Sequence, residues 1–232
     1  DRVIGVDLRD ADVTVDLTTA EGRTTLVEKV RELSGGTVDA VVANAGLATP
    51  TPATVGVNYF GAVATLEGLR PLLAGSSAPR AALTASMASL MPTDQALVDA
   101  MLAGDEAAAL ARADQIADTE DAQKIYASTK VAICRWLRRN APTPEWAGAG
   151  IPLNAIAPGV VVTPMTADLM ATDEQRESLA GMVPMPLNGF MEASAPAELL
   201  AWLVSPVNTH LCGQVVFIDG GSDVVIRGDS TW

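Results

Sequence analysis

Short apolar runs alternate along the chain with longer stretches in which apolar residues recur at helical spacing. The runs predict strands at 2–7, 12–17, 38–46, 80–86, 151–159 and 214–221. The longer stretches predict helices at 20–33, 54–73, 94–117, 122–140 and 196–204, and 160–195 predicts a long irregular loop. Thr18 and Glu21 have capping-box spacing ahead of the first helix. Residues 94–117 are expected to form two helices divided at Gly104, with Asp105 capping the second.

The predicted strands are apolar on both faces, and strands and helices alternate throughout. This pattern is typical of an α/β fold, a doubly wound parallel sheet in a three-layer α/β/α arrangement. We expect residues 1–232 to form a single domain, because no linker or internal repeat interrupts the pattern. Ligands of such sheets lie at the carboxyl ends of the strands. Those ends carry Asp7, Asp16, Asn44-Ala45-Gly46, Ser86, Pro158-Gly159 and Asp219-Gly220-Gly221.

Composition narrows the possible partners of the 232-residue chain. Hydrophobic residues make up 49% and charged residues 19%, which is typical of a folded domain with a sizeable core. The formal net charge of −13 would repel phosphate backbones and anionic lipid, so nucleic acids and membranes are poor partners. No apolar run is long enough to span a membrane. Cys134 and Cys212 lack metal-site spacing, so we expect no metal and a reducing, cytoplasmic location.

Tyr126 and Lys130 lie four residues apart in a predicted helix, so their side chains share one face. A free tyrosine has a pKa of about 10 and is a poor base at neutral pH, but a nearby ammonium group favours the phenolate. The spacing therefore suits a general acid/base. The isolated pair is only a weak indication, because this spacing also arises by chance in many helices.

The segments around this pair make the pattern specific. In chain order they are ANAG (43–46), VNYFGA (57–62), LTASMAS (83–89), YASTK (126–130) and APGVVVTP (157–164). This order resembles the short-chain dehydrogenase/reductase family over essentially the whole chain. The resemblance implies a Rossmann-like fold and a nicotinamide-dependent interconversion of alcohol and ketone. It makes Tyr126 the general acid/base and gives Lys130 the roles of favouring the phenolate and holding the nicotinamide ribose. It also implies that Ser86 orients the substrate oxygen and that Asn58 holds a water in a proton relay.

The same resemblance implies the cofactor contacts. Asp7 ends the first strand, where a carboxylate accepts bonds from the adenosine ribose and repels the extra phosphate of NADP, so we expect NAD(H) over NADP(H). Arg9 lies two residues further on and would suit a 2′-phosphate, which leaves the alternative open. The other expected contacts are Asp16 and Leu17 at the adenine, Asn44, Ala45 and Gly46 over the cofactor, Pro158, Gly159, Val161 and Thr163 near the carboxamide, and Tyr126 and Lys130.

Two features depart from the family pattern. No glycine-rich phosphate loop of the form G-x-x-x-G-x-G occurs. The strand that should precede this loop, and that would lie in the sheet between the 2–7 and 38–46 strands, is missing as well. We therefore expect about 30 residues, the first strand and helix of a βαβ unit, to precede Asp1. The second departure is a helical insertion at 92–121, which separates Ser86 from Tyr126.

This insertion resembles one group within the family, the bacterial 3α-hydroxysteroid dehydrogenases/carbonyl reductases, as do GVDLRDADVTVDL (5–17) and IDGGSDVVIR (218–227). The group interconverts hydroxyl and ketone at steroid C3 with NAD(H) and reduces other carbonyls. We expect 164–195 to form an apolar substrate lid. Ser86, Tyr126, Met165, Leu169 and Met170 would contact a small apolar substrate, although the methionines would equally serve to pack the lid itself.

Three functions remain open at this stage. The chain would be an NAD-dependent hydroxysteroid or ketone oxidoreductase, a short-chain reductase for another alcohol such as a terpene or aryl carbinol, or a non-catalytic binding relative. The complete set Asn58, Ser86, Tyr126 and Lys130 favours an enzyme. Members of the family are usually dimers or tetramers, so we expect self-association.

Overall fold

The structure, a computed structural model, describes residues 2–230. Its strands in chain order are β1 (Val6–Asp7), β2 (Val13–Thr14), β3 (Ala40–Ala43), β4 (Arg80–Thr84), β5 (Leu153–Pro158), β6 (Val161–Val162), β7 (Met191–Glu192) and β8 (Val215–Ile218). The main sheet is parallel, in the order β3-β4-β5-β8, while β1 pairs only with β2 and β6 only with β7 among the described residues. The predicted α/β fold with a parallel sheet is confirmed.

Helices lie between most of the strands and after β8. They are α1 (Ala20–Ser34), α2 (Pro52–Val55), α3 (Ala62–Leu73), α4 (Gln95–Leu102), α5 (Glu106–Ala117), α6 (Lys124–Asn140), α7 (Asp173–Met182), α8 (Ser194–Leu203) and α9 (Ser222–Arg227). A π-helix at Gly56–Gly61 joins α2 to α3. No helix in the described part of the chain is long and apolar enough to cross a bilayer.

Strand β4 shows why the sheet must be covered on both faces. Successive strand residues point to opposite faces, and Ala81 and Leu83 pack in the main core with residues of α1 and α3 to α6. Ala82, which points the other way, packs with Leu203 of α8. All of these side chains are buried, so helices on each side exclude water from the sheet and produce the three layers.

Several predicted boundaries are corrected. The N-cap of α1 is Thr19 rather than Thr18, because the Thr19 hydroxyl accepts the Gly22 N–H. The segment 160–195 is not an irregular loop, since it contains β6, α7 and β7. Helix α7 has a capping box between Thr172 and Gln175 but buries only Leu179, so its apolar pattern is weak. Helix α9 is a further element that the sequence pattern did not predict.

The insertion at 92–121 folds largely as its sequence predicts. Its two helices, α4 and α5, are separated at Gly104, which has a positive φ of 73°. The Asp105 carboxylate accepts the Ala108 N–H at 3.0 Å and so caps α5. Both helices pack on α6, which carries Tyr126 and Lys130.

The sheet is divided between β1 and β3. Strand β1 ends after Asp7, and no strand within 2–230 lies between it and β3 to join the two sheets. The division lies where the resemblance to the family predicts a further strand. The segment expected before Asp1 stays a prediction.

Candidate active site

Polar side chains gather where neighbouring strands of the main sheet end. Asn44 follows β3, Ser86 lies two residues beyond β4 and Asp219 follows β8, while the turn after β5 begins with Gly159. The strands are paired in parallel up to these positions, so their ends lie at one edge. Ligands of open parallel sheets bind at this edge, and the structure therefore brings together most of the residues that the sequence singled out.

Helix α6 places Tyr126 and Lys130 at the same edge. Lys130 is buried, and its Nζ donates to the backbone oxygen of Thr84 at 3.0 Å. The same Nζ lies 5.5 Å from the centroid of the Tyr126 ring, in a cation–π arrangement. Tyr126 is half-buried, as is Ser86. The lysine is thus fixed to the end of β4, with its positive charge beside the tyrosine ring.

Asn58 connects the π-helix to the turn after β3. Its side-chain oxygen accepts the Leu47 N–H at 2.8 Å, and its amide nitrogen donates to the Leu47 oxygen at 2.9 Å. The amide nitrogen also lies 3.2 Å from the hydroxyl oxygen of Thr129, which donates to the backbone oxygen of Tyr126 at 2.7 Å. A continuous hydrogen-bonded path therefore runs from the turn to the backbone of the predicted acid/base.

Gly46 leaves space between these groups. A β-carbon at this position would lie 3.5 Å from Asn58 Oδ1 and 4.0 Å from Lys130 Nζ. Beside it, the Thr84 hydroxyl donates to Asn44 Oδ1 at 2.7 Å and so ties the end of β4 to the turn. Asn44 and Ala45 are exposed at this turn, where a ligand can approach their backbone.

Ser86 has a structural bond as well as a candidate role. Its hydroxyl accepts the Ala88 N–H at 3.1 Å and begins a short 3₁₀ helix, Met87–Leu90. Met87, directly after it, is buried with Met170, Leu179, Val183 and Met185 of the segment 164–195. That segment therefore packs beside Ser86. Met170 contributes to the packing of the segment itself, whereas Met165 and Leu169 are exposed.

The turn after β5 is closely packed. The Gly159 N–H donates to Ile218 O at 3.0 Å, and a β-carbon on Gly159 would lie 3.0 Å from both Asp219 Cα and the Met185 sulfur. Further along, Thr166 donates through its hydroxyl to the Val161 oxygen at 2.6 Å and caps the Thr163 N–H at 3.1 Å. The four predicted carboxamide-side residues follow one another along this part of the chain: Pro158 ends β5, Gly159 forms the turn, Val161 begins β6 and Thr163 follows β6.

The predicted nucleotide end lies at β1 and β2. Asp7 is exposed and lines an open depression of about 540 Å³ together with Gly5, Val6, Arg9, Asp10, Ala11 and Asp12. Asp16 is exposed, and bonds from the Thr18 hydroxyl and N–H hold the pKa of its carboxyl below the usual value. Leu17 follows it directly. Asp7 ends β1, and Asp16 lies two residues beyond β2, the strand that pairs in parallel with β1.

Two residues of the site escaped the sequence analysis. Thr84 anchors Lys130 through its backbone and Asn44 through its hydroxyl, and Thr129 joins Tyr126 to Asn58. Thr129 stood inside the quoted YASTK motif. A fully buried hydroxyl in a helix needs a hydrogen-bond partner. The position of Thr129 directly before Lys130 could therefore have indicated a structural hydrogen bond at this site. Thr84 acts through a backbone oxygen, which the sequence does not reveal.

Comparison with known proteins agrees with this geometry. The family model described as "Enoyl-(Acyl carrier protein) reductase", one of the short-chain dehydrogenase/reductase models, matches residues 4–223. The chain belongs to the short-chain dehydrogenase/reductase family. It is therefore an oxidoreductase, and members of this family act on CH–OH groups with a nicotinamide cofactor.

Individual members of the family cover nearly the whole chain. The 3-alpha-hydroxysteroid dehydrogenase/carbonyl reductase of Comamonas testosteroni is 36% identical over 97% of this chain and 88% of its own length. A solved 3-alpha-hydroxysteroid dehydrogenase from Pseudomonas sp. B-0831, complexed with NADH, is 38% identical, with a TM-score of 0.87 over 97% of this chain and 89% of its own. Levodione reductase, at 22% identity and a TM-score of 0.69, shares the fold.

Proposed function

We propose that this oxidoreductase interconverts a secondary alcohol and a ketone with NAD(H), that a 3-hydroxysteroid is its substrate class, and that Tyr126 is its general acid/base. The observation that carries the proposal is the position of Lys130, whose buried ammonium group is fixed to Thr84 O and lies beside the Tyr126 ring. The two hydroxysteroid dehydrogenases named above supply the substrate class.

Each catalytic residue has a distinct task in this proposal. In the reductive direction the Tyr126 hydroxyl gives its proton to the carbonyl oxygen, and in the oxidative direction the phenolate accepts the alcohol proton. The Lys130 ammonium group places a positive charge beside the Tyr126 ring and would hold the nicotinamide ribose. Ser86 donates a hydrogen bond to the substrate oxygen and orients it. Asn58, with both ends of its amide held by Leu47, keeps the π-helix against the active-site turn and supports the proton relay.

The residues present fit the nicotinamide and adenosine ends of a nicotinamide dinucleotide. Lys130 would hold the ribose next to the nicotinamide, which supplies or accepts the hydride when bound, and the lack of a side chain on Gly46 would let the cofactor approach the turn closely. Val161 and Thr163 would hold the carboxamide, with Asn44, Ala45, Pro158 and Gly159 lining the turns. At the other end, Asp7 would accept bonds from the adenosine ribose, and Asp16 and Leu17 would flank the adenine.

The preference for NAD(H) rests on Asp7. Its exposed carboxylate faces the 540 Å³ depression, and it would be placed next to the extra phosphate of NADP and repel it. Arg9 lines the same depression and would partly offset this repulsion. We therefore expect a higher kcat/KM with NAD than with NADP. Equal values for the two cofactors would contradict the assignment of Asp7.

The segment 164–195 is proposed as the substrate lid. Met165 and Leu169 expose apolar side chains, which suits contact with an apolar substrate, while Met170 holds the lid together from within. Residues 1–232 would act as one domain with the insertion 92–121. We also propose self-association to a dimer or tetramer, because Trp202, Val224 and Val225 leave apolar surface exposed on α8 and α9.

The decisive experiment compares Tyr126→Phe with the unaltered protein. Turnover is followed through the absorbance of the reduced nicotinamide, with 3α-hydroxysteroids and small secondary alcohols as substrates. Removal of the hydroxyl is expected to lower kcat by at least about 100-fold, the lower bound for a lost general acid/base, while NAD affinity stays within about twofold. Tyr59→Phe, at the only other tyrosine of the chain, is the matched control and should retain kcat. Near-normal turnover by Tyr126→Phe would refute the assignment.

A further inference from the structure

Arg23 of α1 links two parts of the chain that are far apart in sequence. Its Nε donates to the backbone oxygen of Leu17 at 2.8 Å, and its Nη2 donates to that of Thr18 at 3.1 Å. The other edge of the guanidinium forms a two-bond pair with the Glu106 carboxylate, at 2.8 and 2.5 Å. Only 11% of the Arg23 side chain is exposed. The planar guanidinium therefore bridges the loop 16–18 and the insertion.

The loop 16–18 packs closely against glycines of two neighbouring helices, so its conformation has little freedom to change. A β-carbon on Gly22 would collide with the backbone oxygen of Asp16. On the other side, a β-carbon on Gly61 would lie 3.0 Å from Leu17 Cβ, and one on Gly56 would lie 3.3 Å from Thr18 Cα. The three glycines let two helices approach the loop closely. Arg23 then holds the two backbone oxygens of the loop from the side.

Glu106 is the first residue of α5, within the insertion 92–121. Its side chain is 33% exposed, so water reaches the carboxylate but not most of the guanidinium. A carboxylate at the first turn of a helix is also favoured by the helix dipole, which fixes Glu106 further. Bidentate arginine–carboxylate pairs add directional order as well as energy. Glu106 therefore determines which way Arg23 points.

We propose that Arg23, held by Glu106, is a positioning residue for the loop Asp16–Thr18, and that the insertion thereby sets the affinity of the enzyme for the adenosine half of its cofactor. This inference rests on the proposed function of Asp16 and Leu17 at the adenine. The nicotinamide half would lie at the carboxyl ends of β3, β4 and β5. Arg23 and the loop contact the neighbouring π-helix at Gly56, Phe60 and Gly61, whereas the side-chain bonds of Asn58 go to Leu47 and Thr129. The pair thus acts on cofactor binding and leaves the chemical step unchanged.

The test uses Glu106→Gln in the full chain. A glutamine keeps the size of the side chain but removes its charge and turns an amide NH₂ toward the guanidinium, so the two-bond pair is lost. We expect the Kd for NAD to rise by about fivefold or more, the lower range of measured couplings between sites, with kcat at saturating NAD unchanged. The KM for nicotinamide mononucleotide, which lacks adenosine, should stay unchanged. Arg23→Lys, which cannot form the fork, should behave in the same way.

The matched control is Glu32→Gln, which removes the carboxylate of an exposed ion pair with Lys29 on the same helix α1. It should leave the Kd for NAD unaltered. A global loss of structure would raise the KM for both nucleotides and lower kcat, and this outcome would overturn the positioning role. Unchanged NAD affinity in an active Glu106→Gln enzyme would overturn the inference alone. Absence of NAD-dependent turnover in the unaltered protein would overturn the proposed function as well.

Discussion

Asp94 is the residue whose replacement tests the packing of the insertion most directly. Its side chain is 9% exposed. Its carboxylate accepts hydrogen bonds from the Leu97 N–H at 2.8 Å and from Arg112 Nε and Nη2 at 3.1 and 2.6 Å. Its own N–H donates to the Ser128 hydroxyl at 2.9 Å, in the helix that carries Tyr126. Replacement of Asp94 by asparagine removes the charge while the side chain keeps nearly the same shape.

The expected cost follows from these contacts. Asparagine is as good an N-cap as aspartate, so the bond to Leu97 survives and the loss falls on the ion pair. Breaking a fully buried pair costs about 3–5 kcal/mol, and an exposed pair is worth about 0–1 kcal/mol. Arg112 is 36% exposed, so this pair lies between the limits and we expect a loss of about 1–2 kcal/mol. Asp94→Ala also loses the cap, at a further cost of about 1 kcal/mol.

Thermal and urea unfolding measure this loss. For a chain of this length, about 1–2 kcal/mol corresponds to a fall in Tm of about 2–8 °C. A double-mutant cycle with Arg112→Met isolates the pair, because the combined variant should lose less than the sum of the single variants. If the two losses simply add, the pair contributes nothing and the reasoning is wrong.

The pH dependence supplies an independent check. The Arg112 guanidinium, which bonds the carboxylate, holds the pKa of Asp94 below its usual value. A carboxyl group with a depressed pKa in the folded state stabilises the protein above its unfolded pKa of about 3.9, and this stability is lost as the pH falls through the folded pKa. Asp94→Asn lacks the titration, so its stability and that of the unaltered protein should begin to converge below about pH 4 and meet only below the folded pKa of Asp94. A difference that persists in acid would contradict the electrostatic origin.

Two further predictions concern the core and the loop 16–18. Burial raises the pKa of Tyr59 to about 12, so the stability that depends on its protonated form is present below about pH 10 and lost as the pH rises toward 12. Denaturant unfolding of Tyr59→Phe should therefore show a shallower decline over that range, and an unchanged slope would contradict it. Gly22→Ala gains about 1 kcal/mol in helix propensity but forces the Asp16 backbone to move, so we expect a net loss of stability and a higher KM for NAD. A Gly22→Ala variant that is more stable than the unaltered protein and has a normal KM for NAD would contradict this prediction, because it would show that the loop 16–18 can move at no cost.

The sequence predicted those features that depend on local pattern or on an ordered set of motifs. The alternation of apolar runs and helices indicated the parallel sheet, and Asp105 capped α5 as its position suggested. The pairing of Tyr126 with Lys130 followed from helical spacing alone. Helix α7 escaped because its apolar face is a single buried residue, so solvent-facing residues dominate its pattern.

Contacts between distant segments were beyond such reasoning. Arg23 and Glu106 are 83 positions apart, and each looks like an ordinary surface charge on an amphipathic helix. Their meeting depends on how the insertion packs against α1, which no local pattern reports. The bond from Lys130 to a backbone oxygen is equally hidden, because every residue has such an oxygen.

The π-helix Gly56–Gly61 makes the active site sensitive to chain length. A π-turn accommodates one residue more than an α-turn at the same place. Deletion of a single residue here would let the segment relax to α geometry while the parts before and after it keep nearly the same orientation, so the residues inside the segment would change their positions instead. We expect Asn58 to leave Leu47, while Leu66 and Leu69 of α3 stay in the core. Substitutions are therefore better tolerated in this segment than insertions or deletions, and variant libraries that keep its length constant will retain more folded, active members.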